Sequence, residues 1–108
     1  MVMAVIVTIP EKNAQDMIKM LLNERVCACI NVIKGVRSFF WWEGKIDEAQ
    51  EVILLIKTKE TLFIKLKELI KNNHPYKVPE IIGFKIDNVN PEYSDWLNKE
   101  ANALPFSS

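Results

Sequence analysis

The chain has 108 residues, 49% of them hydrophobic, and its 14 lysines plus arginines balance 14 aspartates plus glutamates. That is the length of one domain, and a chain this long buries roughly two thirds of the surface its unfolded form exposes. The even charge excludes the basic footprint of a nucleic-acid binder and the polybasic or acidic tails of a membrane-surface protein. The apolar runs MVMAVIV and VILLI fall far short of the ~20 residues that cross a bilayer. The N-terminus lacks the basic-then-apolar order of a secretory signal. A cytoplasmic protein with no membrane partner is therefore expected. Cys27 and Cys29 are too few and too close for a disulfide framework.

Residues 3–9, MAVIVTI, form a continuous apolar run rich in β-branched side chains, which predicts a strand covered on both faces. Pro10 and Glu11 suit the first turn of a helix. Ala14, Met17, Ile18, Leu21 and Leu22 follow at helical spacing, so the first helix is expected to run to about Arg25. Residues 26–42 read as a long extended region interrupted at Lys34-Gly35, with EGKIDE (43–48) as a hairpin connection and EVILLIKT (51–58) as the return strand. Residues 60–73 predict a second helix, with Leu62, Leu66, Leu69 and Ile70 as its buried stripe. EIIGFKI (80–86) is a further strand. Asn90 caps a third helix whose first position is Pro91 and whose apolar stripe is Tyr93, Trp96 and Leu97. The expected domain covers 1–102, with a frayed tail at 103–108.

The order β-α-β-β-α-β, then a helix, suits an α+β fold of the split β-α-β or ferredoxin-like kind. Its two main helices cover one face of the sheet. In FFWW (39–42), alternation points Phe39 and Trp41 one way and Phe40 and Trp42 the other. Only one face lies under helices, so the other presents large apolar groups, and such a patch marks an interface. The third helix covers part of it; a homo-oligomer covers all of it.

His74 is the one histidine and lies in HPYKVPE (74–80). It reads as a helix stop, because the residue before a proline leaves helical geometry and a cation suits a helix C-terminus. It is also a candidate metal ligand, though no His, Cys or Asp stands at ligand spacing from it. Cys27 and Cys29 on one strand face are close enough to share a soft ion such as Cu(I); as free cysteines they also read as small buried hydrophobes. No G-x-S-x-G, P-loop or H-E-x-x-H occurs, so no enzyme is expected. IPEKNA also lacks the glycine-rich anion loop that acylphosphatase chemistry would need.

ACINVIKGVRSFFWWEGKI (28–46), EVILLIKT (51–58), HPYKVPEII (74–82) and YSDWL (93–97) resemble the CutA family of divalent-cation tolerance proteins in order and approximate spacing. VTIPEK resembles the family's Thr-x-Pro entry to its first helix, and the resemblance spans about residues 3–100. It implies a ferredoxin-like subunit in a tight homotrimer whose hairpins, here 36–58, reach across to neighbouring subunits. It also implies architectural kinship with the trimeric PII signalling proteins, a role in tolerance of copper or other divalent cations, no required cofactor and no established catalysis. The copper ligand it implies is His74, with Cys29 matching the cysteine of the family's A-C-x-N stretch. Two further family ligands are Asn73 and Val7 here. The resemblance further places Trp42, Glu43, Lys45, Lys57, Tyr76 and Glu80 at clefts between subunits. A small anionic metabolite can bind there as in a PII-like sensor, or the same groups serve as interfacial pairs. A third expectation is a structural trimer that scaffolds a partner.

Overall fold

A computed structural model of the chain describes residues 1–104. In chain order the elements are β1 (Val2–Ile9), α1 (Glu11–Asn23), β2 (Cys29–Trp42), β3 (Lys45–Lys59), α2 (Phe63–Asn73), β4 (Ile81–Lys85) and α3 (Pro91–Glu100). The strands form one antiparallel sheet in the order β2-β3-β1-β4. The fold is α+β. Val5, Val7 and Ile9 of β1 and Val52, Leu54 and Ile56 of β3 meet Ala14, Met17 and Leu21 of α1 and Leu66 and Ile70 of α2 in one core. Period 2 in the strands and period 3.6 in the helices bring these residues to a common face.

Several boundaries differ from expectation. The first helix stops at Asn23, because Arg25 takes φ 59, a left-handed backbone that an α-helix cannot continue. Arg25 then pairs with Glu100 at 2.9 Å, tying this turn to the end of α3. Residues 60–62 form a 3₁₀ turn, and the α-helix begins only at Phe63. Leu22 is exposed and Leu69 half-buried, so the two stripes are narrower than their spacing implied. Of the expected frayed tail, Ala103 donates its N–H to Arg25 O at 3.1 Å, and Lys65 Nζ donates to Leu104 O at 3.1 Å. Residues 105–108 lie outside the described residues.

The largest revision concerns the hairpin. Its connection is not six residues but two, Glu43-Gly44, at φ 50 and 79. Positive φ at both central positions is the type I′ geometry, whose twist matches the flanking strands. Pairing therefore continues through Trp42 opposite Lys45. Since β1 pairs with β3 only over 52–59, residues 36–42 and 45–51 have no strand partner but each other. They form a ribbon roughly 24 Å long at ~3.4 Å per residue, within a molecule whose longest extent is 44 Å. A two-stranded ribbon alone in water is marginal.

The sheet face away from α1 and α2 is apolar. Register aligns Asn31, Leu55, Ile6 and Ile82 in one row and Ile33, Ile53 and Thr8 in the next. At one end of this face Tyr93 of α3 reaches Cys29, and Leu97 is fully buried. Elsewhere Ile33, Ile82 and Phe84 remain exposed.

Candidate functional site

HPYKVPE joins α2 to β4 and organises a cleft. Pro75 forces His74 out of the helix, to φ −91 and ψ 141. Its ring then bonds at both nitrogens. The Tyr76 N–H donates to Nδ1 at 3.0 Å, and Nε2 lies 2.8 Å from Thr8 O. Because Nδ1 accepts, Nε2 carries the proton and donates to Thr8 O. The two rings meet at a tilt of 54°, with their centroids 4.9 Å apart. The Tyr76 hydroxyl donates to the carboxylate of Glu51, a residue only 6% exposed. Burial first, then this hydrogen bond and the Glu51 charge, push the Tyr76 phenol up to about 12.

The loop faces the hairpin ribbon across a cavity of about 700 Å³. Phe40, Trp42, Asp47 and Glu51 line it from the ribbon, and Tyr76 and Glu80 from the loop. Register explains part of the ribbon's share, because Phe40 lies opposite Asp47 and alternation puts Trp42, Ala49 and Glu51 on the same face; Phe39, Trp41 and Glu48 border the cavity from the other face. The charged groups around the cavity are Asp47, Glu48, Glu51 and Glu80 against Lys77. Glu48 is paired with Arg37 at 2.8 Å.

Of the expected cleft residues, one chain brings together Trp42, Tyr76 and Glu80. Glu43 and Lys45 are exposed at the hairpin turn and do not line this cavity. Lys57 stands at the other end of β3, in register with Cys29 and Ala4. Glu51, Asp47 and Thr8 went unread in the sequence. The available signal for Glu51 was its position at the edge of VILLI, two residues before Ile53 and so on the same strand face.

The candidate metal ligands lie apart. Cys27 is not on a strand: β2 begins at Cys29, and Cys27 sits in the preceding loop, where the Thr58 hydroxyl holds Val26 O at 2.6 Å. Its thiol is 2% exposed, and burial, then the neighbouring Cys29, push it up to about 12. A thiol held protonated is a poor ligand. Cys29 is half-buried. His74 sits at the Thr8 end of β1, while Cys29 aligns with Ala4; four residues of strand separate those levels by roughly 13 Å. Among the described residues, no three His, Cys, Asp or Glu side chains converge to hold a metal ion.

A family model described as CutA1 divalent ion tolerance protein matches residues 3–100. The Divalent-cation tolerance protein CutA of Pyrococcus horikoshii is 48% identical over 94 residues, 86% of this chain and 91% of that protein. The protein of the same name from Thermus thermophilus is 45% identical over 96 residues, 88% of this chain and 93% of its own length. The solved structure of the divalent cation tolerance protein from Thermus thermophilus superposes with a TM-score of 0.89 at 44% identity, covering 93% of this chain and 98% of that one. The periplasmic divalent cation tolerance protein CutA from Archaeoglobus fulgidus gives 0.91 at 32% identity, covering 94% and 100%.

Proposed function

This chain belongs to the CutA1 divalent ion tolerance family, and on that premise we propose that it serves divalent-cation tolerance as a ligand-binding, signalling homotrimer without catalysis. The observation that carries the reading is the uncovered apolar surface. Phe39 is 59% and Trp41 72% exposed on a ribbon that pairs with no other strand of its own chain, and the sheet face beside it keeps Ile33, Ile82 and Phe84 exposed. Large apolar surfaces of this kind are covered by a partner, and identical copies do so under closed symmetry. The element order and the β2-β3-β1-β4 sheet support a ferredoxin-like subunit. The two free thiols suit a reducing compartment such as the cytoplasm, and among the described residues no helix is long and apolar enough to cross a membrane.

Copper is the cation to test first, yet the described residues of one chain do not fit a copper site. The Nδ1 lone pair of His74 already accepts from Tyr76 N–H, and no cysteine stands at its level of the sheet. The tolerance role is therefore proposed to run through the cleft lined by Trp42, Tyr76 and Glu80, as in a PII-like sensor. Native mass spectrometry of the reduced protein, with and without Cu(II), tests this. A trimer without saturable copper is expected. A monomer overturns the assembly. Three saturable copper ions that His74→Ala abolishes would restore direct metal binding.

A further inference from the structure

We propose that residues 100–104 form a strap that shuts one end of the core over Cys27, so that the reactivity of this thiol is set by the strap.

Its bonds trace its path. At the end of α3, Glu100 accepts from Arg25 Nη1 on its carboxylate at 2.9 Å and on its backbone oxygen at 3.4 Å. Ala101 is fully buried. The Ala103 N–H donates to Arg25 O at 3.1 Å, and Leu104 O accepts from Lys65 Nζ of α2 at 3.1 Å. Residues 100–104 therefore run from α3, past the turn that ends α1, to α2.

The turn after α1 is shaped to receive them. Arg25 takes φ 59, the left-handed position past a helix end at which glycine is common. An arginine there offers its carbonyl to Ala103 and its guanidinium to Glu100. One residue thus holds both the backbone of the strap and its root.

Cys27 lies two residues beyond this anchor. It is 2% exposed and belongs to the core cluster against which Ala103 packs. The Thr58 hydroxyl fixes the same turn through Val26 O, so the turn is held twice, from β3 and from the strap. Burial, then the neighbouring Cys29, push the Cys27 thiol up to about 12, and a protonated thiol is a poor nucleophile. Withdrawing the strap admits water to the turn and returns the thiol toward its ordinary range.

The strap is independent of the cleft and of assembly. Ala28 N–H donates to Lys57 O, and Cys29 pairs with Lys57, which sets the turn at the end of the sheet opposite the ribbon. Each of these bonds is internal to one chain. The anchors Arg25 and Lys65 belong to the turn after α1 and to α2, not to the sheet face left for a partner.

The test is the rate at which a disulfide reagent labels Cys27 under native conditions, in the full-length protein carrying Cys29→Ser so that one thiol remains. Each rate is compared with the same protein's global unfolding constant, because labelling through global unfolding follows that constant. The protein with the strap intact should label only at that pace. Ala103→Asp puts a carboxylate where the strap packs on the core and should speed labelling about tenfold or more beyond any change in the constant. Arg25→Gly suits the left-handed backbone and keeps the Ala103 bond. It loses only the tie to Glu100, whose two side chains are 54% and 37% exposed, so about threefold faster labelling is expected at a nearly unchanged constant. That variant decides the matter should Ala103→Asp not fold. Labelling that follows the global constant in every folded variant, or that is as fast with the strap intact as without it, overturns the inference.

Discussion

Replacing Tyr76 with phenylalanine removes one oxygen and leaves its backbone N–H on His74 Nδ1. The lost group is the donor to Glu51, a carboxylate buried to 6% exposure. A hydrogen bond to a charged group contributes about 1.5–3 kcal/mol. In a domain of this size that lowers the melting temperature on the order of 10 °C. Chemical and thermal denaturation should be compared at one protein concentration, so that any self-association weighs equally on parent and variant. A double-mutant cycle with Glu51→Gln should return a coupling of about 1 kcal/mol or more. The alkaline limb gives a second reading. The Tyr76 phenol is pushed up to about 12 from an ordinary value of about 10. A raised acid stabilises the fold fully below the unfolded value and loses that contribution as pH climbs through the folded one. The gap between parent and Tyr76→Phe should therefore narrow between pH ~10 and ~12. Tyr93 is common to both proteins and drops out of the difference. A variant within ~0.5 kcal/mol of the parent, or a cycle with no coupling, would refute the Tyr76–Glu51 pairing.

Three further outcomes follow from the core. Thr58→Val keeps the shape of a fully buried side chain but removes its 2.6 Å bond to Val26 O; unfolding by denaturant should show a loss of about 1–3 kcal/mol. Gly83→Ala would place a methyl 2.9 Å from Phe63 Cε1 and 3.2 Å from Met3 Cε, so the Phe63 ring and the Met3 side chain must give way, at about 1–3 kcal/mol in the same assay. Titration with a thiol reagent should modify Cys29 first, while Cys27, 2% exposed and with its thiol raised to about 12, should react only on unfolding; two thiols reacting at equal rates would contradict that burial.

Much of the scaffold was legible because short-range rules govern it. Alternation in MAVIVTI and VILLI and the 3.6-residue spacing of Leu62, Leu66 and Ile70 depend on neighbours a few positions away. Pro91 after Asn90 behaves the same way, and Asn90 Oδ1 does accept from Glu92 N–H at 3.2 Å. The misplaced boundaries are those where one residue's backbone decided the matter. Arg25 and Glu43 take positive φ without being glycine, which local propensity does not anticipate. Cys27 read as strand because it continues an apolar run; the loop holding it is set by Thr58, which bonds Val26 from 32 residues along the chain.

The sequence by itself determined the strand and helix order, the faces that bury, and the run of large aromatic side chains on the hairpin, because periodicity and side-chain polarity are local properties. It also carried the family, through WWEGKI and HPYKVPEII. Tertiary structure alone decided who meets whom. It set Glu51 against Tyr76, occupied both nitrogens of His74, separated that ring from Cys29 by the length of four strand residues, and made the cleft acidic. Alternation names the face a residue occupies. Which residue stands opposite depends on strand order and register, and those are fixed by packing across the whole chain.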